Sequence, residues 1–175
     1  TGFRKPHTPW RFPHAFLQYY NADQSMDVAA HGVLDRSVPD IAISSFDFQD
    51  PYTAMDKKTA MSNRLAYYAS VTWMDHQVGK LLDELTSLGL DDSTMVAFHA
   101  VHGWILGENG QWQKFTNWEA GVRVPLIIRD QSIPQSHGKQ STALVELVDI
   151  MPTLADLAGL KLPGLQDEAP LDGLS

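Results

Sequence analysis

The sequence predicts an α/β fold, and the order of its apolar segments carries that prediction. A long amphipathic pattern over 61–88 indicates a helix, and an apolar run at 94–98 that indicates a buried strand follows it. After a glycine-rich loop at 100–112 come a second apolar run at 124–128 and a short helical pattern that ends before Gly159. Helix, strand, loop, strand and helix in this order are typical of α/β domains, where ligands bind at the ends of strands.

The N-terminal part precedes these elements and is predicted to be irregular. Residues 1–13 hold three prolines, which exclude a regular helix or a central strand and favour a rigid, extended loop. Residues 21–56 mix Asp, Ser, Pro and Gly without periodicity, and we expect a long excursion across the surface.

The long helix is the clearest element. From Leu65 to Leu88 apolar residues recur at steps of three and four, and Gly89 supplies the residue that ends such a helix. Asp75 lies on the apolar stripe, so partial shielding is expected for it, with a structural hydrogen bond favoured over a catalytic role.

The last elements are less uniform in their pattern. Pro125 suggests that the second strand starts at 124, and the apolar run 143–148 fits either a strand or a helix. Asp149 is predicted to cap the final short helix, with Pro152 tolerated in its first turn.

Composition narrows the function classes. The chain has 175 residues, 43% of them apolar, which suits one compact domain with a sizeable core. Its net charge of -8 argues against a dedicated nucleic-acid binder, and no apolar run is long enough to cross a membrane. Zero cysteines exclude a disulfide framework, a thiolate metal site and a cysteine nucleophile within this stretch.

Residues 1–14 run against the overall charge. They carry Arg4, Lys5 and Arg11 with no acid among them. Such a segment suits an anionic small substrate, although a solvated surface strip gives the same pattern.

Two segments concentrate polar chemistry. In the first, prolines flank His7 and restrict its backbone, so that Lys5 and His7 are held in fixed directions that suit binding an anion and protonating a leaving group. In the second, His102 and Gly103 come just after a strand, a common position for a metal ligand or catalytic base. Taken alone, His7 also fits a surface loop, and His102 also fits a capping or packing role.

These segments together resemble the sulfatase family, on its iduronate-2-sulfatase-like branch. The matching stretches occur in one order along nearly the whole chain: 2–10 (GFRKPHTPW), 74–79 (MDHQVG), 102–108 (HGWILGE), Trp112, Lys114, Asn117, 123–126 (RVPL) and 145–154 (VELVDIMPTL).

The resemblance implies an alkaline-phosphatase-like α/β sandwich, with a mixed, mostly parallel sheet flanked by helices, and hydrolysis of a sulfated sugar. By the resemblance, His7 helps to protonate the leaving alcohol, Lys114 contacts the sulfate and Lys5 lies near it. His102 is a ligand of Ca²⁺ or another hard divalent cation, and Trp104 lines the pocket. Family members commonly work outside the cytoplasm, in the periplasm, the medium or the lysosome.

The chain departs from the family pattern at the metal and at the nucleophile. Val101 stands where the family has a metal-binding aspartate, and valine offers no oxygen ligand. The family makes a formylglycine nucleophile from a Cys/Ser-x-Pro-x-Arg motif, and this motif is missing: Ser37 begins a similar run, but Ile41 replaces the arginine. The aspartate pair that starts the family's metal site is also missing. We therefore expect residues 1–175 to be part of a sulfatase catalytic domain, without the upstream nucleophile and first metal ligands and without the C-terminal subdomain.

Two other functions stay open from the sequence. A sulfatase-like protein that binds sulfated glycans without cleaving them would explain Val101. A phosphomonoester or phosphodiester hydrolase on the same fold would need Asp and His ligands for two transition metals. Only His102 fits such a set, since His99 and His137 lack acids at a suitable spacing.

Overall fold

A computed structural model describes residues 1–20, 27–33, 35, 37–39, 42 and 55–160. Most of the predicted excursion over 21–56 lies outside these residues, as do positions 40 and 41 of the incomplete nucleophile motif. The chain divides into two compact units, Thr1–Ser132 and Ile133–Ser175. None of the helices within the described ranges is long and apolar enough to cross a membrane.

Helix α1 (Lys57–Ser87) dominates the first unit and confirms the helix prediction, with a start four residues earlier. Asp56 explains the earlier start, because its carboxylate accepts the backbone N–H of Thr59 at 3.0 Å and caps the helix. The prediction for Asp75 is wrong, since this side chain is exposed. The buried residues of α1, Ala60, Ala69 and Ser70, all lie in its first half, which is the half that packs on the core.

Both predicted strands are present and form one pair. Strand β1 (Val96–His99) runs antiparallel to strand β4 (Leu126–Arg129), with Val96 opposite Arg129. Between them lie the hairpin of β2 (Ile105–Leu106) and β3 (Trp112–Gln113) and the one-turn helix α2 (Glu119–Val122).

The pairing within the described residues is antiparallel, whereas the resemblance implied a mostly parallel sheet. Parallel neighbours need a crossover that returns the chain to the same end of the sheet. The loop 100–125 holds a hairpin and a single helical turn in place of such a crossover, so β4 comes back alongside β1 in the opposite direction.

The core of the first unit lies between α1 and the hairpin. Ala60, Leu106 and Trp112 are buried together, and Met55, Tyr67 and Trp104 pack around them. Ile105 is the largest fully buried apolar side chain, at 1% exposure. This packing fixes the hairpin on the helix, and the hairpin carries the candidate site.

The second unit holds the short helix α3 (Ile150–Leu157), with Pro152 buried in its first turn as predicted. Asp149 does not cap α3, because its own backbone is already helical and its carboxylate accepts the backbone N–H of Glu146 at 2.8 Å. Residues 143–146 are exposed and form neither a strand nor a helix, and Leu147–Asp149 form a 3-10 turn. The apolar pattern at 143–148 therefore misled the prediction.

Candidate active site

The amino group of Lys114 lies between two imidazoles. Its Nζ is 3.2 Å from His7 Nε2 and 3.1 Å from His102 Nε2. Three residues from separate stretches of the sequence thus meet at one point, at distances suited to hydrogen bonds.

The other ring nitrogens assign the tautomers. His7 Nδ1 is 2.7 Å from the carbonyl oxygen of Thr8, and His102 Nδ1 is 2.7 Å from that of Gly103. A carbonyl only accepts, so each Nδ1 carries the proton and each Nε2 offers a lone pair to the Lys114 ammonium. An ammonium has three N–H donors, and these two contacts leave the third for an anion.

Trp104 forms one wall of the site. Lys114 Nζ lies 5.8 Å from the centroid of its ring, within reach of a cation–π contact, and the His7 ring meets it edge-on at 5.6 Å. Tyr67 of α1 stacks on Trp104 at 6.3 Å, and burial raises the pKa of the Tyr67 hydroxyl. The buried Trp104 Nε1 has no hydrogen-bond partner among the residues that the structure describes.

Phe115 is part of the site, although no sequence pattern points to it. Lys114 Nζ lies 5.2 Å from the centroid of its ring, and the residue is exposed. The available clue was that Phe115 follows Lys114 directly in the sequence. In an extended strand neighbouring side chains point to opposite faces, but the left-handed backbone at Phe115 allows its ring to lie near the Lys114 amino group.

Lys5 supports the proline-rich loop. Its amino group donates to the carbonyl oxygen of His7 at 3.0 Å and to that of Pro9. Desolvation lowers the pKa of Lys5, and the nearby charges of Arg4 and Arg11 lower it further. The contacts seen for Lys5 are with its own loop, and its role towards sulfate stays a prediction.

Gly103 fixes the loop that carries His102. Its backbone N–H donates to the carbonyl oxygen of Gly121 at 2.9 Å, which ties the loop to α2. A Cβ at this position would lie 2.2 Å from the carbonyl oxygen of Ala120, so only glycine fits.

The hairpin brings Lys114 to Trp104. Ile105 lies opposite Gln113 and Leu106 opposite Trp112, and one further step of this register places Trp104 across from Lys114. Gln113 and Phe115, on either side of Lys114, have φ values of 77° and 72°. Such left-handed backbone is costly for residues other than glycine, and it persists only where surrounding contacts impose it.

The described residues do not fit a calcium site. Val101 is 73% exposed and offers no oxygen, and His102 Nε2 faces the Lys114 ammonium. No group of three His, Cys, Asp or Glu side chains within the described ranges is placed to hold a metal ion. Calcium binds through several oxygen ligands, which one imidazole cannot replace.

The chain matches known proteins over most of its length. The sulfatase family model matches residues 2–160. The chain belongs to the sulfatase family. Human iduronate 2-sulfatase is 34% identical over 93% of this chain and 36% of its own length, and choline-sulfatase of Rhizobium meliloti is 31% identical over 92% and 31%. The chain thus spans about a third of the length of these curated relatives, and the resemblance inferred from the motifs is confirmed.

Solved structures confirm the α/β fold of the alkaline-phosphatase type. A protein solved in complex with its substrate D-glucosamine-2-N,6-O-disulfate matches with a TM-score of 0.60 and 32% identity, over 67% of this chain and 23% of its own. Phosphonate monoester hydrolase of Agrobacterium radiobacter matches with a TM-score of 0.72 over 98% of this chain and 35% of its own. The latter is 22% identical and informs the fold alone.

Proposed function

We propose that this sulfatase chain contributes the anion-binding and proton-donating part of a sulfuric-ester hydrolase that acts on sulfated sugars. The observation that carries the proposal is the Lys114 ammonium held between His7 and His102 beneath Trp104. The names of two relatives support the substrate class, since one is an iduronate 2-sulfatase and the other was solved with a sulfated glucosamine. A location outside the cytoplasm belongs to the same proposal.

Lys114 binds the sulfate in this proposal. Its third N–H donates to a sulfate oxygen, and its positive charge strengthens that bond relative to a neutral one. The aromatic wall of Trp104 beside it excludes water and leaves an apolar surface for the sugar.

His7 delivers the proton to the leaving alcohol. Its Nε2 lacks a proton in the resting arrangement, and the Lys114 N–H at 3.2 Å is the nearest source. As the bond between sulfur and the leaving oxygen breaks, Nε2 takes a proton from the Lys114 ammonium and passes it to that oxygen, which leaves Lys114 as the neutral amine. The sequence has no Cys/Ser-x-Pro-x-Arg motif, so the attacking group of the reaction is not assigned to these residues.

Calorimetry with inorganic sulfate and with a monosulfated hexosamine tests the proposal. Lys114→Gln removes the charge and is expected to weaken both affinities at least about tenfold, the effect of losing one charge-assisted hydrogen bond. Lys80→Gln, on the exposed part of α1, is the matched control and should bind like the wild type. Equal affinities of the Lys114→Gln variant and the wild type would refute the proposed site.

Val101 favours a second candidate, binding of sulfated glycans without hydrolysis. An exposed valine in place of the family's metal-binding aspartate removes a charged ligand. On this reading, the sugar affinity of the wild type is the same in calcium and in a chelator. Affinity that depends on calcium would rule the second candidate out.

Val101→Asp restores one carboxylate beside His102. We expect millimolar calcium to raise the melting temperature of this variant and to leave that of the wild type unchanged, because a ligand bound only by the folded state stabilises it. Val122→Asp, at another exposed valine, on α2, controls for the added charge. A calcium response shared by the wild type would show that the cation binds without this carboxylate.

A further inference from the structure

We infer that Arg64 and Glu108 are positioning residues, which hold the hairpin in the one register that places Lys114 between His7 and His102. The consequence for sulfate binding rests on the proposed function, whereas the geometry does not. Their hydrogen bonds join them to the backbone of Leu106, to each other and to Tyr68, and they act through Leu106.

Arg64 and Glu108 hold both polar groups of Leu106. Arg64 Nη1 donates to the Leu106 carbonyl oxygen at 2.9 Å, and Glu108 Oε2 accepts the Leu106 N–H at 2.6 Å. A bond of 3.1 Å from Arg64 Nη1 to Glu108 Oε1 closes the ring of contacts. Helix α1 is thereby bonded directly to strand β2.

Arg64 is the sheltered partner of this pair, and Glu108 is the more open one. The Arg64 side chain is 14% exposed and that of Glu108 is 39% exposed. Arg64 Nη2 also donates to the Tyr68 hydroxyl at 3.4 Å, so the Leu106 carbonyl, the Glu108 carboxylate and this hydroxyl share one guanidinium. Removing Glu108 leaves the charge of Arg64 poorly solvated. We therefore expect Arg64 to move, and with it the backbone of Leu106 to which it is bonded.

The register carries the effect to the site. Leu106 lies opposite Trp112, and Lys114 follows Trp112 by two residues along the same arm of the hairpin. The turn that joins Leu106 to Trp112 is tight: Gly107 has φ +105°, and a Cβ there would lie 3.3 Å from Trp112 Cζ2. A shift of Leu106 therefore cannot be absorbed in the turn and moves β3 as well.

Lys114 needs such external support. The left-handed backbone at Gln113 and Phe115 is unfavourable by itself, and contacts elsewhere must maintain it. Hydrogen bonds weaken steeply once distance or angle departs from the ideal, so a small shift of β3 breaks both bonds from Lys114 to the imidazoles.

Long-range ¹H–¹⁵N spectra of the imidazoles in the full 175-residue chain, recorded at mildly alkaline pH, test the inference. In the wild type, His7 and His102 should show Nε2 as a hydrogen-bonded acceptor. Glu108→Gln should move both Nε2 resonances towards those of the exposed His14, and Lys114→Gln should produce the full shift. Arg64→Gln should reproduce the effect, and the double variant should add little, because both residues act through one contact.

Asp91→Asn is the matched control. Asp91 pairs with Arg129 at 2.6 Å in the same unit, with side-chain exposures of 25% and 35%, and it does not contact the hairpin. Its loss should lower stability and leave the imidazole spectra unchanged. Wild-type spectra for a folded Glu108→Gln variant, or equal shifts from Asp91→Asn, would overturn the inference. The milder Glu108→Asp serves the same comparison if Glu108→Gln does not fold.

Sulfate titration separates this inference from the proposed function. Shifted imidazole spectra with no sulfate binding by the wild type would leave the positioning role intact and refute the function. Wild-type sulfate affinity in Glu108→Gln, beside a weakened Lys114→Gln, would refute the positioning role alone.

Discussion

At the residue scale, the close approach of Gly103 to α2 decides where His102 lies. The obstacle to a side chain is the backbone carbonyl of Ala120, which cannot rotate away as the end of a flexible side chain can. The backbone N–H of Gly103 donates to the carbonyl oxygen of Gly121, so Gly103 meets main-chain groups of both Ala120 and Gly121.

Gly103→Ala is expected to lower the free energy of unfolding by about 1–3 kcal/mol, the usual cost of overpacking a tight site. Urea unfolding measures it. Gly79→Ala is the control, because a Cβ there meets nothing within 4 Å and alanine favours the helix, so this variant should be more stable than the wild type by about 0.5–1 kcal/mol. If Gly103→Ala unfolds at the wild-type urea concentration, the contact with α2 does not exist in solution.

The residues of the site differ in how far the sequence could reveal them. His7, His102 and Lys114 stand in motifs whose order is informative, so their meeting could be expected. Phe115 and Arg64 could not be selected, because their places depend on a left-handed backbone and on a contact across 42 residues of sequence to Leu106. Local periodicity carries no information about either.

At the element scale, one ion pair connects the turn before β1 to strand β4. Asp91 begins the 3-10 turn Asp91–Ser93, and Arg129 ends β4. Hydrogen bonds from Arg129 and from Gln131 lower the pKa of the Asp91 carboxyl, since they favour its charged form.

The stability of the Asp91→Asn variant should therefore depend on pH differently from that of the wild type. The pKa of Asp91 is lower in the folded state than its unfolded value of about 3.9, so its stabilising effect is complete above that pH. It is lost as the pH falls through the folded pKa. The gap in unfolding free energy between the two proteins should be constant near neutrality and should close in acid.

Urea unfolding of both proteins over this pH range measures the gap. The titration of the other carboxylates is common to the two proteins and cancels in the difference. A gap that stays constant in strong acid would show that Asp91 stabilises the turn without its charge.

Elements were predictable where burial and pattern agree. The apolar stripe of α1 and the run of β1 are partly buried, and both were predicted within a few residues. Leu144 and Val145 are just as apolar but lie exposed, and no regular element forms there. Hydrophobicity alone indicates an element only when packing rewards it, which the sequence does not disclose.

At the scale of the whole molecule, the family match over 2–160 extends across both units, whereas the candidate site lies within the first. Its parts come from the N-terminal loop, from the loop after β1 and from the end of the hairpin. The fold class was predictable because it depends on the order of elements. The antiparallel return of β4 was not, because it depends on the path of the chain through the loop 100–125.

The charge of the molecule opposes the proposed ligand, and the charge of the site favours it. The net charge is -8, yet Arg4, Lys5, Arg11 and Lys114 belong to the site or to the loop that carries His7. Interactions between charges are screened beyond about 30 Å at 0.01 M salt and beyond about 10 Å at 0.1 M. The dependence of the affinity on salt therefore tells whether a sulfated sugar responds mainly to the cations of the site or to the net charge of the molecule.

We expect the affinity for a monosulfated hexosamine to fall as salt rises from about 0.01 to 0.1 M, since salt screens the attraction between the sulfate and the cations of the site. Calorimetry in sodium chloride measures the dependence, and Lys114→Gln should flatten it. An affinity that rises with salt would mean that repulsion by the whole acidic molecule outweighs the attraction of the site. The -8 charge would then control association, and the cationic start of the chain would be a solvated surface strip.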